Sequence, residues 1–209
     1  MENKESTIRS LIHNIEYKKL QYKIFKDVGS GDKKSIDEYW EKQKAIIFGE
    51  DEGIRVIFLD IDGVLNNENM YKTKKCASKS FDPKNMEVLN DLIYETQAKV
   101  VISSCWRIGE TIESLLAKMK AGGYKYDIYD FTPRCHGIRG NEIHNWLKEK
   151  GKNVKSYVIF DDDSDMLLWQ KDYFIWIDRH YGLTPTMAYK AKHTLLNRSV
   201  DDNYYYGIL

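Results

Sequence analysis

Five short stretches, each too brief for a helix and mostly unbroken by polar residues, dictate most of what this chain can become. They are Ile54–Asp60 (IRVIFLD), Lys99–Ser103 (KVVIS), Asp127–Phe131, Tyr157–Asp161 (YVIFD) and Tyr173–Ile177. Continuous rather than alternating apolar character suits strands covered on both faces, as in parallel sheets with helices packed on each side. The segments between them carry apolar residues at helical spacing. Residues 86–96 place Met86, Leu89, Leu92 and Ile93 on one side, and 108–121, 140–150 and 184–197 follow, the last with Thr184 as N-cap and Pro185 at its first position. This alternation predicts an α/β domain with a doubly wound, mainly parallel sheet.

The first 52 residues read differently. Ile8, Leu11, Ile12, Ile15, Leu20 and Ile24 fit an amphipathic helix from about Ser6 to Lys26, a Gly-Ser-Gly break follows at 29–31, and Ser35 can cap a second helix carrying Ile36, Tyr39, Trp40, Ile46 and Ile47. The expected organisation is therefore an N-terminal helical extension over 1–52, a main domain over 53–198 and a tail over 199–209 that holds Tyr204, Tyr205 and Tyr206. The extension is expected to pack as a hairpin on the main domain, or to present a surface for a protein partner or for self-association.

Composition limits the function without naming it. Lys+Arg and Asp+Glu both count 32, so no global basic field exists to hold nucleic acid by charge alone. The three cysteines, Cys76, Cys105 and Cys135, are spaced too widely for a metal knuckle and are odd in number for a disulfide framework. No apolar run is long enough to span a membrane, and the charged opening MENKESTIRS has no apolar signal core, so the expected setting is the cytoplasm, with no membrane partner.

In a doubly wound sheet, ligands gather beyond the carboxyl ends of the strands. Here those ends read Asp60-Ile61-Asp62-Gly63, Ser103-Ser104 and Asp161-Asp162-Asp163, with Arg139 ahead of a helix between the last two. Asp60 and Asp62 lie two apart, so both side chains face one way in extended backbone. One can serve as a nucleophile while the other moves a proton to the leaving oxygen. Gly63 lets the chain turn sharply and is counted with the substrate-binding residues. A hydroxyl at Ser103 and a cation at Arg139 can grip phosphoryl oxygens. Asp161 and Asp162, with Asp60 and the backbone carbonyl of Asp62, make an all-oxygen set suited to Mg²⁺.

FLDIDGVLN, VVIS, Arg139 before a helix, and FDD, in that order, resemble the four motifs of haloacid dehalogenase (HAD)-type phosphatases. Ser103–Arg107 (SSCWR), Arg-Gly-Asn-Glu-Ile at 139–143 and VIFDDDSD narrow the resemblance to the HAD domain of "Swiss army knife" RNA repair proteins, over about residues 54–196. The resemblance implies a Rossmann-like HAD fold with a minimal cap. It implies Asp60 as phosphoaspartate nucleophile, Asp62 as general acid/base, Ser103 and Arg139 on the phosphate, Asp161 and Asp162 on Mg²⁺, and a phosphorylated substrate such as a nucleotide or a nucleic acid end.

Several assignments stay open at this point. Ser104 competes with Ser103, and Lys152 with Arg139, for the phosphate. Asp165 either steadies the metal ligands or caps a following helix. Trp106 and Arg107, directly after the hydroxyl strand, are candidates for the pocket lip, Trp106 to stack on a base and Arg107 to hold a second phosphate, against Trp106 as a core residue and Arg107 as a surface charge. Cys105 is expected to be a packed side chain, His136 an incidental loop residue, and Lys72, Lys74, Lys75 and Lys79 a basic lip or a solvated loop. Two other functions compete: a phosphatase for free nucleotides or sugar phosphates, and a catalytically silent binding protein of the same fold.

Overall fold

The computed structural model describes residues 53–72, 81–135 and 137–197. The expected N-terminal helices, Lys74, Lys75, Cys76, Lys79, His136 and the closing tyrosines lie outside these residues. Strands β1 (Ile54–Leu59), β2 (Lys99–Ile102), β3 (Ile128–Phe131), β4 (Val154–Asp161) and β5 (Phe174–Trp176) form one parallel sheet in the order β3-β2-β1-β4-β5. Helices α1 (Glu68–Lys72), α2 (Pro83–Thr96), α3 (Ile112–Ala121), α4 (Arg139–Lys150) and α5 (Pro185–Leu195) connect and cover the strands. The expected doubly wound α/β architecture is the one observed.

The pleat sorts the central strand onto two cores. Ile57 and Leu59 of β1 face Leu89 and Leu92 of α2, Leu115 and Met119 of α3, and Ala191 and Leu195 of α5. Val56 and Phe58 face the other way, toward Ile143 and Trp146 of α4, with the Phe58 and Trp146 rings edge-on at 5.3 Å between centroids. Burial on both faces is why this run shows no polar alternation.

Element ends differ from the periodicity for local reasons. Helix α2 starts at Pro83, three residues before the apolar pattern, because the Asp82 carboxylate accepts the Lys84 N–H at 2.8 Å and Pro83 loses no hydrogen bond in the first turn. Helix α3 starts at Ile112, not 108. Residues Cys105–Arg107 instead make one 3₁₀ turn, and Thr111 and Ser114 cap each other reciprocally. Thr184 stands at the N-cap of α5, but its side chain makes no capping hydrogen bond.

Two features of the topology position the site. The chain runs outward through β1, β2 and β3, then returns to place β4 on the opposite side of β1. The order therefore reverses between β1 and β4, which opens a crevice beyond their carboxyl ends. The excursion from β1 to α2 is pinched at its base: the Asp82 N–H donates to Leu65 O at 2.8 Å, and Asn67 Nδ2 donates to the Asp82 carboxylate at 2.7 Å. Its first half includes α1, where Lys72 pairs with Glu68.

Candidate active site

Register delivers the acidic tips to one place. Leu59 pairs with Ile102 of β2 and with Phe160 of β4, so the residues that follow, Asp60, Ser103 and Asp161, emerge side by side. The Asp60 N–H continues the ladder to Phe160 O at 2.9 Å, and the Ser103 N–H to Leu59 O at 3.0 Å. Asp60, Asp161 and Asp162 each offer a carboxylate oxygen, and these atoms lie within 4.8 Å of one another. Asp60 and Asp161 are 5% and 2% exposed. Burial pushes both carboxyls well above the usual carboxylate range. The Asp161 charge adds to the effect on Asp60, while the Arg139 guanidinium and the Ser104 hydroxyl oppose it. Asp162 is also raised, chiefly by burial, against the pull of Arg179, whose Nη2 stands 3.2 Å from Asp162 Oδ2.

Arg139 is the cation of the crevice. Its Nη2 lies 3.4 Å from Asp60 Oδ1, its Nε 3.2 Å from Asp161 Oδ2 and its Nη1 3.2 Å from Glu142 Oε2. Asp165 fixes it there: its side chain accepts the Arg139 N–H at 2.7 Å and its backbone carbonyl accepts the Gly140 N–H at 3.1 Å. Asp165 thus satisfies two amides at the start of α4, the helix before β4, rather than capping a following helix. Gly140 permits this contact, because a Cβ there would come within 2.5 Å of the Leu167 backbone nitrogen. Lys152, the other candidate cation, is exposed in the 3₁₀ turn at Gly151–Asn153 that leads into β4, at the opposite end of that strand from Asp161.

Asp62 is exposed and held from two sides, with Asn66 Nδ2 donating to Oδ1 and Trp106 Nε1 to Oδ2, each at 2.8 Å. Gly63 follows with φ of +73°, and a Cβ there would meet Asp162 Oδ2 at 2.3 Å. Glycine is needed for the left-handed turn and for the room given to the neighbouring acid. Its N–H is already donated to Asn66 Oδ1 at 2.9 Å. The two serines are distinguished. Ser104 caps the 3₁₀ turn through the Trp106 N–H and favours the charged form of Asp60, whereas Ser103 Oγ is buried without a hydrogen-bond partner, the single such side-chain atom among the described residues.

Both lip candidates have their polar groups committed within the protein. Trp106 is half-buried, its ring packed against Phe81 at 5.4 Å and its N–H committed to Asp62, so it holds the acid rather than offering a free stacking face. Arg107 is turned inward. Its Nη2 meets Glu142 Oε2 at 2.7 Å, its Nε donates to Thr132 O at 2.9 Å, and Nη1 bonds the carbonyls of Ser103 and Ser104. It ties the loops after β2 and β3 to α4, with the two side chains of the pair 5% and 10% exposed. Cys105, expected to be packed, is exposed. Because removing one partner strands a buried charge, Arg107→Ala is expected to lower stability by about 3–5 kcal/mol, read by chemical denaturation. A lip residue would instead raise KM with little change in stability.

Sequence reading missed Glu142, Asn66 and Arg179. Glu142 carried a usable signal, since it lies three residues after Arg139 on a helix and so on the same face. Arg179 and Asn66 carried none, because their roles depend on loop closure after β5 and β1.

The profile of the family described as the HAD domain in Swiss Army Knife RNA repair proteins matches residues 56–188, more than half of the chain. The chain belongs to that family. The match takes in every residue placed around the crevice, from Asp60 to Arg179. Among solved structures, a chain described as a HAD superfamily (subfamily III A) hydrolase from Legionella pneumophila is similar at 13% identity, covering 78% of this chain and 93% of its own, with a TM-score of 0.36. No curated protein matches the chain significantly. As a HAD domain the chain falls within a superfamily of hydrolases. No helix among the described residues is long and apolar enough to cross a membrane.

Proposed function

We propose that this HAD domain is a Mg²⁺-dependent phosphomonoesterase that works through an aspartyl-phosphate intermediate on the terminal phosphate of RNA or DNA. The observation that carries the reading is the joint placement of a buried carboxylate, Asp60, against Arg139 Nη2 at 3.4 Å, with two further carboxylates within 4.8 Å. A binding site for phosphate alone would gain nothing from concentrating acids there.

The donor set fits a hard divalent cation. Three carboxylate oxygens converge, and burial with mutual repulsion raises the pKa of Asp60 and Asp161 even with Arg139 beside them, so a hard cation among the three would relieve it. Asp60, Asp161 and Asp162 would hold the ion, with the Asp62 backbone carbonyl beside them. When bound, it supplies the charge that lets an anionic phosphoryl group approach an anionic carboxylate.

The chain's own residues do the rest. An Asp60 oxygen attacks phosphorus as the phosphorus–oxygen bond to the leaving alcohol breaks, and Asp62 transfers its proton to that alkoxide. Asp62, now a carboxylate, takes a proton from water as the water attacks the same phosphorus. The bond from Asp60 to phosphorus breaks, releasing inorganic phosphate and restoring both side chains. Arg139 and the unpartnered Ser103 hydroxyl donate to the non-bridging oxygens throughout. Asn66 and Trp106 restrain Asp62 through one hydrogen bond to each of its carboxylate oxygens.

The test compares kcat/KM for a 3′-phosphorylated oligonucleotide with that for the matching free mononucleotide. The oligonucleotide is expected to be preferred by about tenfold or more, because extra phosphates add charged contacts. Preference for the mononucleotide by orders of magnitude would overturn the nucleic-acid-end reading in favour of a small-molecule phosphatase. Absence of turnover on any phosphomonoester with Mg²⁺ would overturn the enzyme reading.

A further inference from the structure

A second cavity shares a wall with the crevice. It holds about 300 Å³, and its lining includes Cys105, Arg107, Ile108, Arg134, Arg139, Glu142 and Asp165. Its charges are not equally available. Arg107 is spent on Glu142 and on backbone carbonyls, and Glu142 Oε2 also meets Arg139. Asp165 is spent on the amides of Arg139 and Gly140. That leaves Arg134, which is exposed and has no acidic or hydrogen-bond partner among the described residues. The lining also has an apolar or weakly polar part, from exposed Ile108 and the Cys105 thiol.

We propose that this cavity is a substrate subsite in which Arg134 binds the phosphodiester adjoining the scissile terminal phosphate of a nucleic acid strand, with the attached sugar against Ile108 and Cys105. The assignment rests on the phosphatase reading above. Arg139 belongs to both compartments, since its guanidinium faces Asp60 and Asp161 while it also lines the cavity. A ligand whose terminal phosphate sits at Asp60 therefore has this cavity as an adjoining space. A planar guanidinium with no acidic partner among the described residues suits a phosphate monoanion, which it can meet with two parallel N–H donors. About 300 Å³ lies at the lower end of the range for ligand sites, enough for part of a nucleotide rather than a folded partner.

The test uses the full chain and two readouts. In an Asp60→Asn background, which cannot turn over, binding of a fluorescein-labelled trinucleotide with a 3′-phosphate is followed by anisotropy, with and without Arg134→Ala. Loss of Arg134 is expected to weaken binding by about tenfold or more. It is also expected to lower the slope of log affinity against log salt by about 0.7, the value of one single-strand phosphate contact. Arg134→Lys is expected to keep the salt slope while losing part of the affinity. In the active enzyme, Arg134→Ala should depress kcat/KM at least tenfold more on the trinucleotide than on p-nitrophenyl phosphate, which has no second phosphate. Equal binding with and without Arg134, or equal proportional losses on both substrates, overturns the subsite. A wild-type enzyme inert toward both substrates overturns the phosphatase reading instead, and the binding arm still decides the subsite.

Discussion

Asp60→Asn is expected to abolish phosphomonoester turnover, with a loss on the order of 10⁴-fold or more, while the protein stays folded. The amide has nearly the volume of the carboxylate but cannot attack phosphorus to leave a stable acyl phosphate. Its effect on folding should be small or favourable. The wild-type carboxyl is buried beside Asp161 and held well above its ordinary pKa, so its charge is disfavoured where it stands. Arg139 loses one of its acids but keeps Asp161 and Glu142. The variant should therefore melt at or above the wild-type temperature while showing no turnover. Intact-mass measurement after mixing with substrate should find a phosphoryl adduct on the wild type and none on the variant. A variant that retains a tenth of the activity would remove Asp60 from the nucleophile's role and with it the covalent mechanism.

Chelation is the second large effect. Excess EDTA is expected to bring turnover to background and Mg²⁺ to restore it, because three carboxylates offer oxygens within 4.8 Å of one another, an all-oxygen set suited to a hard divalent cation. Binding should also be visible without catalysis. An ion that binds only the folded state adds about 2.7 kcal/mol at a hundredfold excess over Kd, which for a domain of this size corresponds to roughly 5–10 °C in Tm. Asp161→Asn should erase that thermal shift. Rates unchanged in excess chelator, or a Tm indifferent to Mg²⁺ in the wild type, would sink the metal assignment.

The strands and their acidic tips were legible because both depend on local signals. A strand buried on two faces must be apolar throughout, and VIFL, VVI and VIF are; Asp60, Ser103 and Asp161 then follow from where those runs stop. The crevice between β1 and β4 was legible only given the doubly wound order, which alternation implies but does not contain. The surroundings of Arg107 were hidden for a different reason. Its partner Glu142 is 35 positions away, and the fold of the intervening loop decides whether a guanidinium after a strand points out or in. Chain neighbours suggested the lip, whereas tertiary contacts hold it inside. Trp106 was hidden in the same way, since the residue it serves, Asp62, lies 44 positions earlier.

The pinch at the base of the β1-to-α2 excursion separates inheritance from novelty. Leu65, Asn67 and Asp82 clamp the two stems of that excursion to each other within a few ångströms of backbone, so extra residues spliced in beyond the clamp need not disturb Asp60 and Asp62 upstream of it. The entropic cost of a longer insert grows only logarithmically. Such a clamp lets the length of chain beyond it vary while Asp60, Asp62 and Gly63 keep the positions that the end of β1 gives them.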